Sequence, residues 1–129
     1  MKAYCLLNHT LTDNQIKELE TKYDCAQIIY PDEDLKNIWS QIPPTEKLDM
    51  TVIDKVTQWL MSAKQFDVLI IQGEFGSTFM LVDYALKNQI IPLYAVSKRI
   101  SQEVSNGESV TRNTVFQHVC FREYKYYQS

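Results

Sequence analysis

Two histidines, one adjacent pair of cations and one glycine loop are the parts of this chain whose types and spacing could do chemistry. Imidazole titrates near neutral pH, so His9 and His118 are the candidates for a general acid or base. Lys98 and Arg99 stand side by side and could neutralise an anion. The loop Gln72-Gly73-Glu74-Phe75-Gly76-Ser77-Thr78 follows the apolar run Val68 to Ile71 and precedes Phe79, Val82, Ala85 and Leu86 at helical spacing, which reads as strand, tight loop, helix. The first N–H groups of such a helix have no partner within it and lie at the positive end of its dipole, so an anion is favoured there. Gly73 and Gly76 permit positive φ and carry no Cβ to block a phosphate, while Ser77 and Thr78 supply caps or hydroxyls. The loop is neither G-x-x-x-x-G-K-S/T nor the dinucleotide fingerprint, so a simple capped helix after a glycine turn stands beside the phosphate reading.

The elements that position these residues follow from periodicity. Val68 to Ile71 lacks the alternation of a half-solvated strand and reads as a strand buried on both faces, the kind found inside a parallel sheet. Met1 to Leu7 is a first buried strand, ending at Asn8 and His9. Thr12 and Gln15 form a capping box ahead of Ile16, Leu19 and Tyr23. Ala26 to Tyr30 is a second strand, stopped by Pro31, and Asp32, Glu33 and Asp34 precede the stripe Leu35, Ile38 and Trp39. After Pro43 and Pro44, a longer helix from about 49 to 64 carries Val52, Val56, Trp59 and Leu60. Ile90 to Val96 is a further strand, with Lys98 and Arg99 just beyond its end. Asn106-Gly107 signals a type I′ hairpin between Ile100–Ser105 and Glu108–Phe121. That turn would set Arg99 opposite Thr114 and Lys98 opposite Val115, and alternation would set Thr114, Phe116, His118, Cys120 and Arg122 on one face. The predicted order β-α-β-α-α-β-α-β plus a hairpin is an α/β fold: a Rossmann-like parallel sheet with helices on both faces and a C-terminal antiparallel hairpin, in one domain spanning 1–129. In such a sheet the ligand crevice lies beyond the carboxyl ends of the strands.

Composition narrows the classes of function. The chain has 129 residues, 45% of them hydrophobic and 22% charged, the profile of a soluble domain. No apolar run approaches the ~20 residues that span a bilayer, and the N-terminus does not read as a signal peptide, so a cytoplasmic protein is expected. Cys5, Cys25 and Cys120 have no zinc spacing and read as free thiols. The net charge of −3 argues against a binder of long nucleic acid. Its distribution is uneven: residues 1–96 carry 8 basic against 13 acidic side chains, and residues 97–129 carry 5 against 3. An anionic ligand would therefore draw its charge partners from the tail. Glu74 and Asp83 make no convincing metal site, so no metal or other cofactor is expected.

Four segments also suggest a family. L-L-N-H-T-L-T at 6–12, I-I-Q-G-E-F-G-S-T at 70–78, I-P-L-Y-A-V-S-K-R at 91–99 and V-F-Q-H-V-C-F-R at 115–122 together resemble the small Csx-type CRISPR-associated proteins of type III systems, which are similar to stripped-down CARF domains. The resemblance implies a homodimer that binds a cyclic oligoadenylate, above all cyclic tetra-adenylate, across its two-fold axis. It further implies a metal-independent ring nuclease, in which a ribose 2′-hydroxyl attacks its own phosphodiester and antiviral signalling is switched off. On these positions the resemblance makes His9, Lys98, Arg99 and His118 catalytic. Asn8, Thr10, Gln72, Gly73, Glu74, Gly76, Ser77, Thr78 and Arg122 become ligand contacts. A non-catalytic binder of the same messenger, a generic Rossmann-like nucleotide-binding protein and a purely structural dimerisation module are the competing readings.

Overall fold

A computed structural model, which describes residues 1–128, has its elements in the expected order. Strand β1 (Lys2–Leu6) is followed by α1 (Asp13–Lys22), β2 (Gln27–Ile29), α2 (Glu33–Ser40), α3 (Met50–Trp59), β3 (Val68–Ile71) and α4 (Phe75–Lys87). Two long strands, β4 (Ile91–Asn106) and β5 (Ser109–Glu123), complete the chain. All five strands form one sheet in the order β2-β1-β3-β4-β5, parallel from β2 to β4 and antiparallel between β4 and β5. No helix among the described residues is long and apolar enough to cross a membrane.

All four residues of β3 are buried, and alternation sends their side chains into two different cores. Val68 and Ile70 join Ala3, Cys5, Leu7, Leu93 and Phe121 in one, which Leu19 of α1 helps to close. Leu69 and Ile71 join Tyr4 and Leu6 in the other, closed by side chains of α2, α3 and α4 such as Trp39, Val56 and Leu81. Helices therefore cover both faces. At the amino edge of the sheet the buried Asp67 carboxylate accepts from the backbone N–H groups of Lys2 and Lys64, each at 2.9 Å, tying the start of β1 to the loop before β3.

Local signals formed the helix starts as expected. Thr12 and Gln15 make the reciprocal capping box of α1, and Asp32 caps α2 through Leu35 N–H at 2.8 Å. The α3 helix ends at Trp59 and tightens into a 3-10 turn over Leu60–Ser62, a little short of the expected boundary.

Three expectations fail, each for a physical reason. β4 does not stop at Val96 but runs unbroken to Asn106, so Lys98 and Arg99 lie within a strand. Consecutive strand residues point to opposite faces, and the two cations are separated accordingly. The hairpin turn is centred on Gly107 and Glu108, with Asn106 paired to Ser109. Of the turn residues only Gly107 takes positive φ, at +69°, whereas a type I′ turn needs two. Moving the turn by one residue moves the register by two: Arg99 pairs with Phe116 and Lys98 with Gln117. Third, a β-bulge inserts Val119 where Val96 pairs with Cys120 and Ser97 with His118. The bulge breaks alternation, so His118 shares a face with Phe121, ring centroids 4.8 Å apart, and not with Arg122.

That bulge turns His118 inward, onto α1. Its Nε2 lies 2.8 Å from Glu18 Oε1, and the other oxygen of Glu18 accepts from Phe121 N–H at 2.8 Å. Gln15 Oε1 is held by Thr12 N–H, so the Gln15 amide nitrogen faces His118 Nδ1 at 3.4 Å as a donor, and the ring hydrogen belongs on Nε2. One carboxylate thus pins the root of the β4–β5 ribbon to the first helix. Glu18→Ala leaves two buried donors without partners and is expected to cost about 3 kcal/mol, read as a lower urea midpoint. Glu18→Gln keeps an acceptor and should cost less; a change in the alanine variant within ~0.5 kcal/mol would show that the clamp carries no stability.

Candidate functional site at the carboxyl edge

β1 and β3 end at one level, and β4 runs past it. Leu6 pairs with Ile71 and Ile70 with Leu93, so Asn8 and Gly73, just past the carboxyl ends of β1 and β3, come level with Val96, where β4 leaves its parallel neighbour and continues into the ribbon. At ~4.8 Å per strand the outer two lie about 10 Å apart. Residues from the front, middle and back of the chain thus collect along one edge.

At the β1 end Asn8, His9 and Thr10 are exposed. His9 Nδ1 lies 3.1 Å from the Thr10 carbonyl oxygen. A carbonyl only accepts, so this contact places the ring hydrogen on Nδ1 and leaves the Nε2 lone pair free toward solvent. His9 and Thr10 line a cavity of ≈ 200 Å³ with Tyr30, Pro31, Glu33 and Lys36.

At the β3 end the chain satisfies its own polar groups. The Gln72 side chain accepts from Ala95 N–H at 2.9 Å, extending the β3–β4 pairing past its last ladder bond. Trp39 Nε1 donates to the Gln72 carbonyl at 3.1 Å, and the Tyr124 hydroxyl donates to the Ile71 carbonyl at 2.7 Å. Neither loop glycine takes positive φ. A Cβ at Gly73 would meet the Trp39 ring at 2.6 to 2.9 Å, so packing against that indole is what excludes a side chain there. Gly76 has only ordinary contacts, none nearer than 3.5 Å.

Glu74 changes the electrostatics of the expected phosphate cradle. It is the N-cap of α4, and its carboxylate accepts from Gly76 N–H at 2.9 Å, Ser77 N–H at 2.8 Å and the Ser77 hydroxyl at 2.9 Å. Those hydrogen bonds, the one from Gly76 N–H first, hold its carboxyl below the usual carboxylate range. The anion expected at this helix end is supplied by the chain itself. A phosphate reaching the same N–H groups has to displace a carboxylate.

The remaining candidates separate. Lys98 and Arg99 are exposed on opposite faces of the ribbon, Arg99 lying 5.5 Å from the Phe116 ring centroid. Arg122 sits over Tyr94, its guanidinium 3.2 Å from the Tyr94 hydroxyl. His118 is enclosed by Glu18 and Gln15. Gln72, Gly73 and Thr78 line a second cavity of ≈ 540 Å³ together with Phe79, Tyr124 and Tyr127, among others. Thr78 Oγ1 is buried there with no hydrogen-bond partner. Burial pushes the Cys5 thiol up to about 12, which makes it a poor nucleophile. Among the described residues no group of three or more His, Cys, Asp or Glu side chains could hold a metal ion. The hydrogen-bonding roles of Glu18, Trp39, Asp67 and Tyr124 escaped sequence reasoning because each has a partner at least 33 residues away, beyond the reach of any local motif.

Two substitutions separate packing from capping in this loop. Gly73→Ala forces a Cβ into Trp39 and is expected to cost about 1–3 kcal/mol in a denaturant melt, while Gly76→Ala should be neutral or slightly stabilising. Because the Glu74 carboxyl lies below its ordinary range, its cap is complete above that range and is lost as pH falls through the lowered value. Glu74→Gln should therefore flatten the acid limb of the stability profile, and an unchanged limb would argue against the cap.

Residues 1–122 match the Uncharacterized protein MJ1673 family. The Uncharacterized protein MJ1673 of Methanocaldococcus jannaschii is 31% identical over 134 residues, covering 98% of each chain. No solved structure matches the chain. On a match that takes in every strand but the last residue of β5, this chain is a member of the Uncharacterized protein MJ1673 family.

Proposed function

We propose that the protein is a ring nuclease with a Rossmann-like, CARF-like fold, acting as a homodimer on a cyclic oligoadenylate, above all cyclic tetra-adenylate, in the control of type III CRISPR signalling. The observation that carries this reading is the gathering of Asn8–Thr10 and Gln72–Thr78 beyond the carboxyl ends of β1 and β3, level with the part of β4 where the ribbon begins. Open α/β sheets bind ligands at that edge. The four segments that resemble the Csx-type proteins contribute these same residues.

The reaction needs an in-line 2′-hydroxyl and a proton path. The hydroxyl oxygen attacks the adjacent phosphorus, the bond from phosphorus to the 5′ oxygen breaks, and the products are linear oligoadenylates ending in a 2′,3′-cyclic phosphate. His9 suits the proton transfer: it is exposed at the edge, and its Nε2 is the free ring nitrogen. Fixing the hydroxyl in line with the leaving oxygen supplies much of the rate. Lys98 supplies positive charge from one face of the ribbon, while Arg99, on the other face, reaches a different phosphate or the opposite subunit's half of the ring. His118 acts as a positioning residue, since its ring nitrogens face Gln15 and Glu18.

A second reading, a binder that sequesters the messenger without cleaving it, draws support from the same geometry. The α4 N–H groups are taken by Glu74, and one imidazole is tied to α1, which leaves little machinery beyond His9. Incubation with cyclic tetra-adenylate in EDTA, with products resolved by chromatography, separates the two. The nuclease reading expects linear products with a 2′,3′-cyclic phosphate and a loss of about 10²-fold or more in His9→Ala. Intact ligand that nonetheless binds would establish sequestration, and wild-type cleavage by His9→Ala would remove His9 from the mechanism. Glu74→Gln keeps an acceptor while removing the competing charge, so it should bind the ligand more tightly if phosphate enters the α4 N-terminus.

A further inference from the structure

Proton transfer to His9 leaves two needs unmet: charge to balance the phosphorus centre as the 2′ oxygen attacks it, and a proton for the departing 5′ oxygen. The ≈ 200 Å³ cavity that His9 lines holds a group for each. Its walls come from three parts of the chain: His9 and Thr10 after β1, Tyr30 and Pro31 after β2, and Glu33 and Lys36 on α2. β1 and β2 run parallel with Tyr4 beside Ile29, so the two loops leave the sheet at the same carboxyl edge. Glu33 and Lys36 are three residues apart and share one side of α2. Leu35 and Trp39 are buried on another side. The Asp32 cap fixes where the helix begins, and the Trp39 indole, bonded to the Gln72 carbonyl, fixes how it is turned. The packing that closes the core therefore also delivers Lys36 to the cavity.

These groups are free to act. The Nε2 lone pair of His9 is open, and Lys36 is exposed and makes no ion pair among the described residues. Tyr30 is 48% exposed, and partial burial first, then the charge of the Cys5 sulfur, raises its phenol above the ordinary value. It keeps its proton at neutral pH and has one to give. We propose that this cavity is the seat of the scissile phosphodiester, with Lys36 and Tyr30 as catalytic residues beside His9. The 2′-hydroxyl gives its proton to His9 Nε2 as its oxygen bonds to phosphorus. The bond from phosphorus to the 5′ oxygen breaks, that oxygen takes its proton from the Tyr30 hydroxyl, and solvent restores both side chains. Lys36 balances the charge on the phosphate oxygens throughout.

Size and charge fit one linkage of a larger ligand. Pockets for drug-sized molecules run from roughly 300 Å³ upward, so this one suits a phosphate with its sugar and not a whole ring. One ammonium and one carboxylate, that of Glu33, line it, so a free anion gains little there, whereas a phosphodiester is carried in by the rest of the ring. β3 is the next strand beyond β1, ~4.8 Å away, which keeps the loop 72–78 within reach of the same ligand.

This inference rests on the ring-binding reading above and assigns the place of cleavage. Cyclic tetra-adenylate cleavage in EDTA, with kcat and KM read separately, and calorimetric binding of the same ring test it. Lys36→Ala is expected to lower kcat about 10²-fold or more with less than a tenfold change in KM, and Lys36→Arg, which keeps the charge, to recover much of that loss. Tyr30→Phe is expected to lose about 10²-fold in kcat. Lys55→Ala, an exposed cation of α3, should cleave as the wild type does. Lys36 and Tyr30 both reach solvent, so circular dichroism should show an intact fold in every variant. Wild-type kcat in Lys36→Ala and Tyr30→Phe, or an arginine variant as slow as the alanine one, overturns the assignment and leaves the ring nuclease standing. If the ring binds uncleaved, weaker binding by Lys36→Ala supports the cavity as the phosphodiester seat and unchanged binding overturns it. A wild-type protein that neither binds nor cleaves the ring overturns both readings.

Discussion

A strand with no solvent face organises this molecule. Val68 to Ile71 sits between β1 and β4, and its side chains alternate into two separate cores, so both sides of the sheet must be covered. At about 25 cal/mol per Å² of apolar surface, four large aliphatic residues removed from water outweigh any single polar contact in the structure. Covering both faces requires α1 on one side and α2 to α4 on the other. Parallel strands also bring their carboxyl ends to one edge, which is why residues from distant parts of the chain meet there. The candidate site follows from how the core closes.

That edge is chemically busy before any ligand arrives. Trp39 and Tyr124 donate to the last carbonyls of β3, the Gln72 side chain extends the sheet by one bond, and Glu74 fills the helix N-terminus. Each contact satisfies a backbone group that a strand or helix end leaves over. Together they preorganise the loop and also set a cost on entry, because a phosphate has to compete with a carboxylate already hydrogen-bonded to the same donors. His9, exposed and held by a single contact to the neighbouring carbonyl, satisfies no strand or helix end in this way.

The ribbon of β4 and β5 poses the opposite problem. From Ser97 to Asn106 it runs about 33 Å with nearly every residue exposed on both faces. Two strands alone are marginal in water, so the anchoring of its root matters. The bulge at Val119 supplies the anchor by turning His118 toward Glu18 and Gln15. An apparent candidate for catalysis is thereby a structural joint.

Most of the architecture was legible in the amino-acid order. An apolar run of four bounded by turn signals reads as a buried strand, Thr12 with Gln15 and the acids Asp32, Glu33 and Asp34 announce helix starts, and alternating strands and helices imply a parallel sheet; all of these are local regularities of period, capping or charge. What escaped depended on contacts between distant segments. Whether Gly73 answers to a phosphate or to an indole is decided by Trp39, 34 positions earlier. Which face of α4 is inside is decided by the fit of Ser77, Leu81 and Ala85 against the sheet, since Phe75, Phe79, Val82 and Leu86 on another face are no less apolar. The side to which His118 turns is decided by one inserted residue, because the period of a strand is two and a single bulge inverts everything beyond it. Sequence alone therefore determined the layers and the edge where the candidate side chains of β1 and β3 gather. Tertiary structure decided which of the gathered side chains are free to act, because hydrogen-bond partners and packing neighbours are set only when the chain closes on itself.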